Sequence, residues 1–198
     1  PDLPKGYQIS QYENPLVEGG DLLGVRIRRV HLEEDTGRLI HSPATSNQRP
    51  ASLVDFNRAG IPLMELVTEP DVKNADDAVK FAKELQLILR YLGISNVDME
   101  KGQMRVEANI SLSTNGEMGV KVEFKNINSF KAVKDAIDYE INRQKQALAA
   151  GEKIIQETRG WDDVKKITKS QRIKESVHDY RYFPEPDLPP LEFSDAEL

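Results

Sequence analysis

Carboxylates set among apolar residues are the first groups in this 198-residue sequence that invite a chemical reading. His31-Leu-Glu-Glu-Asp35 follows an arginine-rich run, and Glu65 interrupts the apolar stretch Ile61-Pro-Leu-Met-Glu-Leu-Val67. A glutamate inside so apolar a segment is costly to bury without a partner or a metal. Oxygen ligands gathered from separate strands suit magnesium, which keeps several waters and shares substrate phosphates. Glu33, Glu34 and Glu65 are the candidate ligands. Further along, Arg105, Glu107 and Asn109 alternate with apolar residues, and so do Glu123 and Lys125. Arg105 and Lys125 are of the type that neutralises charge on a transferring phosphoryl group. Each group also has a plainer alternative. Glu33 and Glu34 fit a solvated acidic turn, Glu65 fits half of a structural ion pair, and mixed charge on a strand face serves solubility. His31 taken alone reads as a satisfied structural histidine.

Absent motifs narrow the chemistry. The sequence has no glycine loop ending in Gly-Lys-Ser/Thr, no Gly-x-Gly-x-x-Gly, no Gly-x-Ser-x-Gly and no His-Glu-x-x-His. A Walker-type ATPase, a dinucleotide enzyme, a serine hydrolase and a zinc-helix protease are disfavoured accordingly. With no cysteine, these residues hold no disulfide and no thiolate metal site, which is compatible with a cytoplasmic protein. The formal net charge of −6 argues against a large nucleic-acid footprint on these residues. It fits an acidic cation site and ordinary solubility equally well. No apolar run is long enough to span a bilayer, and no charged-then-apolar leader opens the chain. The start at Pro1, inside a turn-like Pro-Asp-Leu-Pro stretch, is expected of a piece of a longer protein.

The elements that must position these groups follow from periodicity. Ala78, Ala82, Leu85, Ile88, Leu89 and Leu92 recur at helical spacing between Asn74 and Gly93. Asn74 is a good cap, with Asp76 and Asp77 in the first turn. A second helix follows Ser129, with Val133, Ala136, Ile137, Ile141 and Leu148 on one stripe. Lys134, Asp135, Asp138, Glu140, Arg143 and Lys145 are expected on its solvent faces. Strict alternation from Gln103 to Ser113 predicts a strand, paired as a hairpin with Val120 to Lys125. The outward face of that hairpin then carries Arg105, Glu107, Asn109, Glu123 and Lys125. Further strands are expected at Leu23–Leu32, Leu53–Phe56, Leu63–Val67 and near Ile154–Thr158. In the first of these the alternation slips at Arg29-Val30, which suggests a bulge. The pattern indicates an α+β fold, an antiparallel sheet with helices on one face. The proline-rich tail from Phe183 to Pro190 is expected to be an extended strap.

Several stretches together resemble one family. They are Pro1–Gln11, His31–Gly37, Ser52–Arg58, Gly60–Glu65, Glu69–Asp71, Met104–Ser111, Glu123–Phe130, Gln156–Arg159 and His178–Pro190. Taken in order across nearly the whole chain, they resemble the catalytic part of the GatB family of amidotransferase subunits and its archaeal relative GatE. The resemblance implies a cradle-shaped domain similar to the glutamine synthetase fold. It implies use of ATP and Mg2+ to phosphorylate the side-chain carboxylate of Glu-tRNA(Gln) or Asp-tRNA(Asn), followed by amidation with ammonia from a partner amidase, the A subunit. Partners are then the A and C subunits of a heterotrimer and the misacylated tRNA, in the cytoplasm and without a membrane. Glu34 and Glu65 match family magnesium ligands, with Glu33 beside them. Glu107 stands where many relatives have Asp, so the carboxylate is kept and lengthened.

By the same resemblance Arg105, Glu107 and Lys125 take catalytic roles, and Asn109 and Glu123 hold ATP or the acyl group. Lys5 and Glu100 match polar positions along the ammonia path. Tyr180, Arg181 and Tyr182 either pack the strap or touch the tRNA end. Residues 1–198 would then be a partial catalytic domain. Family members carry a preceding segment with a Glu-x-His pair that completes the metal site, and a following helical domain that grips tRNA. Two readings from other classes compete: a non-catalytic scaffold of the complex, and a tRNA-independent ligase of glutamine synthetase type.

Overall fold

Alternating burial along the arginine-rich run builds a ten-residue strand, and the remaining elements are arranged around it or around a second, separate sheet. The computed structural model describes residues 7–42, 51–113, 116–173, 181–190, 193, 194, 196 and 197. Lys5 and Tyr180 lie outside the described residues. In chain order the elements are β1 (Tyr7–Ile9), β2 (Val17–Glu18), β3 (Asp21–Leu22), β4 (Val25–Glu34), β5 (Arg38–Ser42), β6 (Ala51–Asp55) and β7 (Pro62–Thr68). Then come α1 (Ala75–Tyr91), β8 (Val106–Ile110), β9 (Val122–Ile127), α2 (Phe130–Ala149), β10 (Glu157–Asp162), β11 (Ile167–Ile173) and β12 (Arg181–Phe183). The chain divides into two units, Pro1–Glu69 with His178–Leu198, and Pro70–Val177.

In the first unit β4 is the organiser. It pairs antiparallel with β2, β3 and β7, while β5 pairs with β6 and β1 pairs in parallel with β12. The expected bulge is present, one residue earlier than its sequence signal, between Ile27 and Arg29. The extra residue, Arg28, turns outward and grips Glu69 through two bonds of 2.8 Å. Of the expected strap only Phe183 lies in a strand, as the last residue of β12. Tyr182 of β12 stacks on Tyr12, with ring centroids 5.3 Å apart.

The second unit is a four-stranded sheet in the order β11-β10-β9-β8. Its helices begin where the sequence places them: Asn74 Oδ1 accepts from the Asp77 N–H at 2.9 Å, and Ser129 Oγ accepts from the Ala132 N–H at 3.1 Å. Ile110, Val122, Phe124 and Ile127 of the sheet pack against Ala132, Val133, Ala136 and Ile137 of α2. Ala75, Ala78 and Val79 of α1 join the same apolar cluster. The α+β expectation holds, but the sheet is mixed rather than antiparallel. β9 and β10 run parallel, Thr158 opposite Glu123, because the chain between them crosses over through α2.

A second departure from expectation concerns Glu140, which is not on a solvent face but fully buried. Val133, Ile137, Glu140 and Gln144 lie on one stripe of the helix, so the apolar face simply continues as a polar one. Glu140 accepts from Arg143 at 2.7 and 2.6 Å and from Gln144 Nε2 at 2.8 Å. Gln144 also accepts from the Leu112 N–H and donates to the Ile110 carbonyl, extending the edge strand β8 with a side-chain amide. Arg159 pairs with Glu157 and donates to Thr168. Burial pushes the Glu157 carboxyl up, but bonds from Ser170 and Arg159 and the charges of Arg159 and Arg143 outweigh it and hold it low.

Among the described residues no helix is long and apolar enough to cross a membrane. Removing one partner of a buried charged network leaves the others uncompensated. Glu140→Ala is therefore expected to destabilise the protein by about 3–5 kcal/mol in urea unfolding. Asp138→Ala, on the exposed side of the same helix, is expected to change it by less than about 0.5 kcal/mol.

Candidate functional site

The register of β4 against β7 sets His31 directly opposite Glu65, with Glu33 two residues further along the same face. Because the bulge at Arg28 precedes Arg29, uninterrupted alternation keeps Arg29 on that face together with His31 and Glu33. His31 is fully buried and Glu33 nearly so. Three polar side chains converge on the Glu33 carboxylate. Gln8 Nε2 lies 2.9 Å from Oε2, while His31 Nε2 and Ser10 Oγ lie 3.0 and 3.4 Å from Oε1. Gln8 and Ser10 are held there by β1 and by a bridge between Ser10 and Glu33.

Glu65 completes the group, its Oε2 3.7 Å from His31 Nε2. His31, Glu33 and Glu65 each offer one ligand atom within 4.8 Å of the others, the one such metal-ligating trio among the described residues. The Glu65 side chain keeps 46% of its surface exposed, so the apolar stretch around it does not bury it outright. Even so, partial burial and then the charge of Glu33 raise its carboxyl above the usual range, against the pull of His31 and Arg29. Two carboxylates this close repel, and a cation between them would relieve that repulsion. The donor set fits a hard divalent ion, which needs one or two carboxylates and supplies its own waters.

Glu34 is not brought into this group. Alternation turns its side chain to the opposite face of β4, half-buried beside Gly60 in the turn before β7. The Asp35 carbonyl accepts from the Gly60 N–H at 2.9 Å, which locks that turn to the strand end.

The second unit gathers the other candidates on the sheet face away from the helices. A register shift between Val106 and Ala108 places Glu107 at a bulge, and Asn109 sits opposite Glu123. Lys125 Nζ lies 3.3 Å from Glu107 and 3.4 Å from Glu123, bridging the two carboxylates. Thr158 Oγ1 donates to the other Glu123 oxygen at 2.9 Å. Arg105 is exposed just before β8. Glu100 belongs to the loop after α1, where its N–H donates to Asp98 at 3.0 Å and its side chain is exposed. In that loop Val97 holds a positive φ of 46°, unusual for a β-branched residue, fixed by Gln86 Nε2 on its carbonyl at 2.7 Å.

Sequence reasoning missed Gln8, Ser10 and Arg29 and gave His31 no part in the site. The available signal was the spacing Arg29, His31, Glu33, which is one strand face once the bulge is placed at Arg28.

Comparison with known proteins agrees with the family pattern in the sequence. The model of the GatB/GatE catalytic domain matches residues 1–198. The B subunit of the aspartyl/glutamyl-tRNA(Asn/Gln) amidotransferase of Thermosipho melanesiensis is 53% identical over 204 residues, covering 100% of this chain and 43% of the relative. The protein of the same name from Thermodesulfovibrio yellowstonii is 53% identical over 205 residues, covering 98% and 42%. That of Roseiflexus sp. is 51% identical over 205 residues, covering 98% and 41%. The chain thus spans less than half the length of the curated relatives it matches.

A carboxyl raised in the folded state binds its proton more tightly there than in the unfolded chain. Stability is therefore lost as pH rises from the unfolded value through the raised folded one. In metal-free buffer, Glu65→Gln is expected to melt about 1–2 °C above the wild type at pH 8, the screened scale for a half-exposed group. The difference is expected to vanish below about pH 4, near the ordinary carboxyl value, in calorimetric scans of both proteins.

Proposed function

The chain belongs to the GatB/GatE catalytic-domain family, and from that footing we propose that it is the ATP- and Mg2+-dependent core of the B subunit of a tRNA-dependent amidotransferase. The observation that carries the reading is the pair Glu33 and Glu65, held together in a family whose relatives are named as amidotransferases. The substrates are Glu-tRNA(Gln) or Asp-tRNA(Asn), the partners are the A and C subunits, and the compartment is the cytoplasm. The overall reaction is a carbon–nitrogen ligation. The cradle likeness to glutamine synthetase belongs to the same reading.

A carboxylate does not accept ammonia directly, because its carbonyl carbon is a poor electrophile. A side-chain oxygen of the aminoacyl group attacks the γ-phosphorus of ATP, the bond to the bridging oxygen breaks, and ADP leaves. Ammonia then adds to the carbonyl carbon of the acyl phosphate, inorganic phosphate departs with the C–O bond pair, and a proton is lost to give the amide. Bound Mg2+ supplies charge neutralisation for the phosphates. Glu33 and Glu65 would hold it, while Glu34 stands on the opposite face of β4.

Lys125, positioned by Glu107 and Glu123, presents a fixed positive charge to the transferring phosphoryl group, and Arg105 adds a second. Asn109 and Glu123 orient ATP or the acyl group, and Lys5 and Glu100 line the ammonia path. A scaffold that merely joined partners would gain nothing from holding Glu33 and Glu65 in mutual repulsion, which disfavours that alternative.

The test uses the full-length protein assembled with its A and C partners and follows ATP-dependent conversion of Glu-tRNA(Gln) to Gln-tRNA(Gln). Glu65→Gln and Lys125→Ala are each expected to lower the rate about 100-fold with assembly intact, the scale of losing one charge-stabilising group. Full activity in Glu65→Gln would refute the cation role, and activity without tRNA would favour a free-standing ligase.

A further inference from the structure

The outer face of the second sheet carries one feature that the proposed reaction does not use. Gly160 of β10 is paired with Lys125 of β9, two residues along from the pairing of Thr158 with Glu123. Thr158 Oγ1 bonds to Glu123 across that pairing, so the two side chains share a face. Alternation then sets the empty β-position of Gly160 on the same face, next to Lys125. A β-carbon added there would run into Nε2 of Gln171 and stand 2.8 Å from its Cδ. The Gln171 carboxamide therefore lies over Gly160, on the face that carries Lys125 and Glu123.

Two local causes put it there. Thr158 pairs with Arg172 and Arg159 with Ser170, so Gln171 is the extra residue of a bulge in β11. A bulge re-aims the side chain that it carries. Lys169, the residue paired with Gly160, is drawn to Asp162 at 2.7 Å and leaves the space over the glycine open. Gln171 takes that space and is still exposed. Among the described residues its amide has no hydrogen-bond partner. A carboxamide offers a donor and an acceptor side by side in one plane, and here both face outward beside a positioned lysine.

We propose that Gln171 reads the base of the nucleotide whose phosphates Lys125 meets, and so selects adenine. The inference rests on the ATP reading above, and its test separates the two. Neighbouring strands stand about 4.8 Å apart, so β9 and β11 are roughly 10 Å apart across β10. That leaves room for a ribose between phosphates at Lys125 and a base at Gln171. Adenine presents the N6 amino donor beside the N7 acceptor, and a carboxamide meets both at once. Guanine presents two acceptors, O6 and N7, on the same edge. Gln171 therefore favours ATP over GTP, and the missing side chain at Gly160 keeps that position open to the amide.

The test uses the full-length protein assembled with its A and C partners and Glu-tRNA(Gln), and measures kcat and KM with ATP and with GTP. Gln171→Leu keeps an aliphatic side chain over Gly160 and removes the amide. It is expected to raise KM for ATP about 10-fold, the scale of one lost bidentate base contact. The preference for ATP over GTP is expected to narrow by a similar factor, with kcat for ATP and the melting temperature close to those of the wild type. Gly160→Ala leaves the amide in the chain but forces it aside, and is expected to raise KM for ATP in the same direction. The double variant is expected to be no worse than Gln171→Leu alone, because both changes remove one interaction.

An unchanged KM for ATP in Gln171→Leu, or an unchanged ratio of ATP to GTP use, would overturn the proposal and leave the ATP reading intact. A lower kcat together with a lower melting temperature, at unchanged nucleotide preference, would mark Gln171 as structural and overturn it as well. Wild-type turnover that needs no nucleotide would overturn the ATP reading and the base contact with it.

Discussion

Two carboxylates and an imidazole are forced together by the pairing of β4 with β7, and most of what the first unit does follows from that pairing. A strand slipped by one residue would exchange faces and set Glu34 where Glu33 stands. The bulge at Arg28 and the bidentate grip of Arg28 on Glu69 pin the register at one end. The lock between Asp35 and the Gly60 turn pins it at the other. Between those anchors the face carries Arg29, His31 and Glu33 against Glu65, and β1 closes over it with Gln8 and Ser10. Repulsion between the two acids is the penalty of the arrangement, visible in the raised Glu65 carboxyl. A divalent cation bound between them, as proposed, would convert this penalty into binding energy.

The second unit solves a different problem. Its outer sheet face must hold charged groups in place. Lys125 does so by standing between Glu107 and Glu123, with Thr158 bracing the latter. Exposed ion pairs contribute little stability, so the set is better understood as a positioned charge than as a fastening. The fastening lies underneath, where α2 turns from Val133 and Ile137 to Glu140 and Gln144. The buried glutamate pairs with Arg143 of the same helix and lies 3.9 Å from Arg159 of β10, and the amide of Gln144 caps the open end of β8. A buried network of this kind costs desolvation, but it fixes the crossing of α2 over β9 and β10.

Helix starts, the α+β class and the hairpin face were legible in the sequence because each depends on local spacing. The capping residues Asn74 and Ser129, and the alternation of Arg105, Glu107 and Asn109, need no knowledge of distant neighbours. What could not be read is the parallel pairing of β9 with β10, which depends on where α2 returns the chain. Burial of Glu140 was hidden for a related reason: Arg159, which lies 3.9 Å from it, is on another strand. The choice between Glu33 and Glu34 depends on the register of β4 against β7, which local spacing does not show. Likeness to the family pointed to Glu34, whereas the strand geometry gathers Glu33. His31 reads from sequence only as a structural histidine, because a lone histidine has no further signature until its Arg29 and Glu33 neighbours are known to share its face.

The central claim is that Glu33 and Glu65 are held together to bind a divalent cation through oxygen. The most direct measurement is an anomalous difference map from crystals of the full-length protein soaked in Mn2+. The account predicts a peak about 2.0–2.3 Å from carboxylate oxygens of Glu65 and Glu33, the range for hard divalent ions. A map with Mn2+ bound elsewhere, and none between these two glutamates, would contradict it.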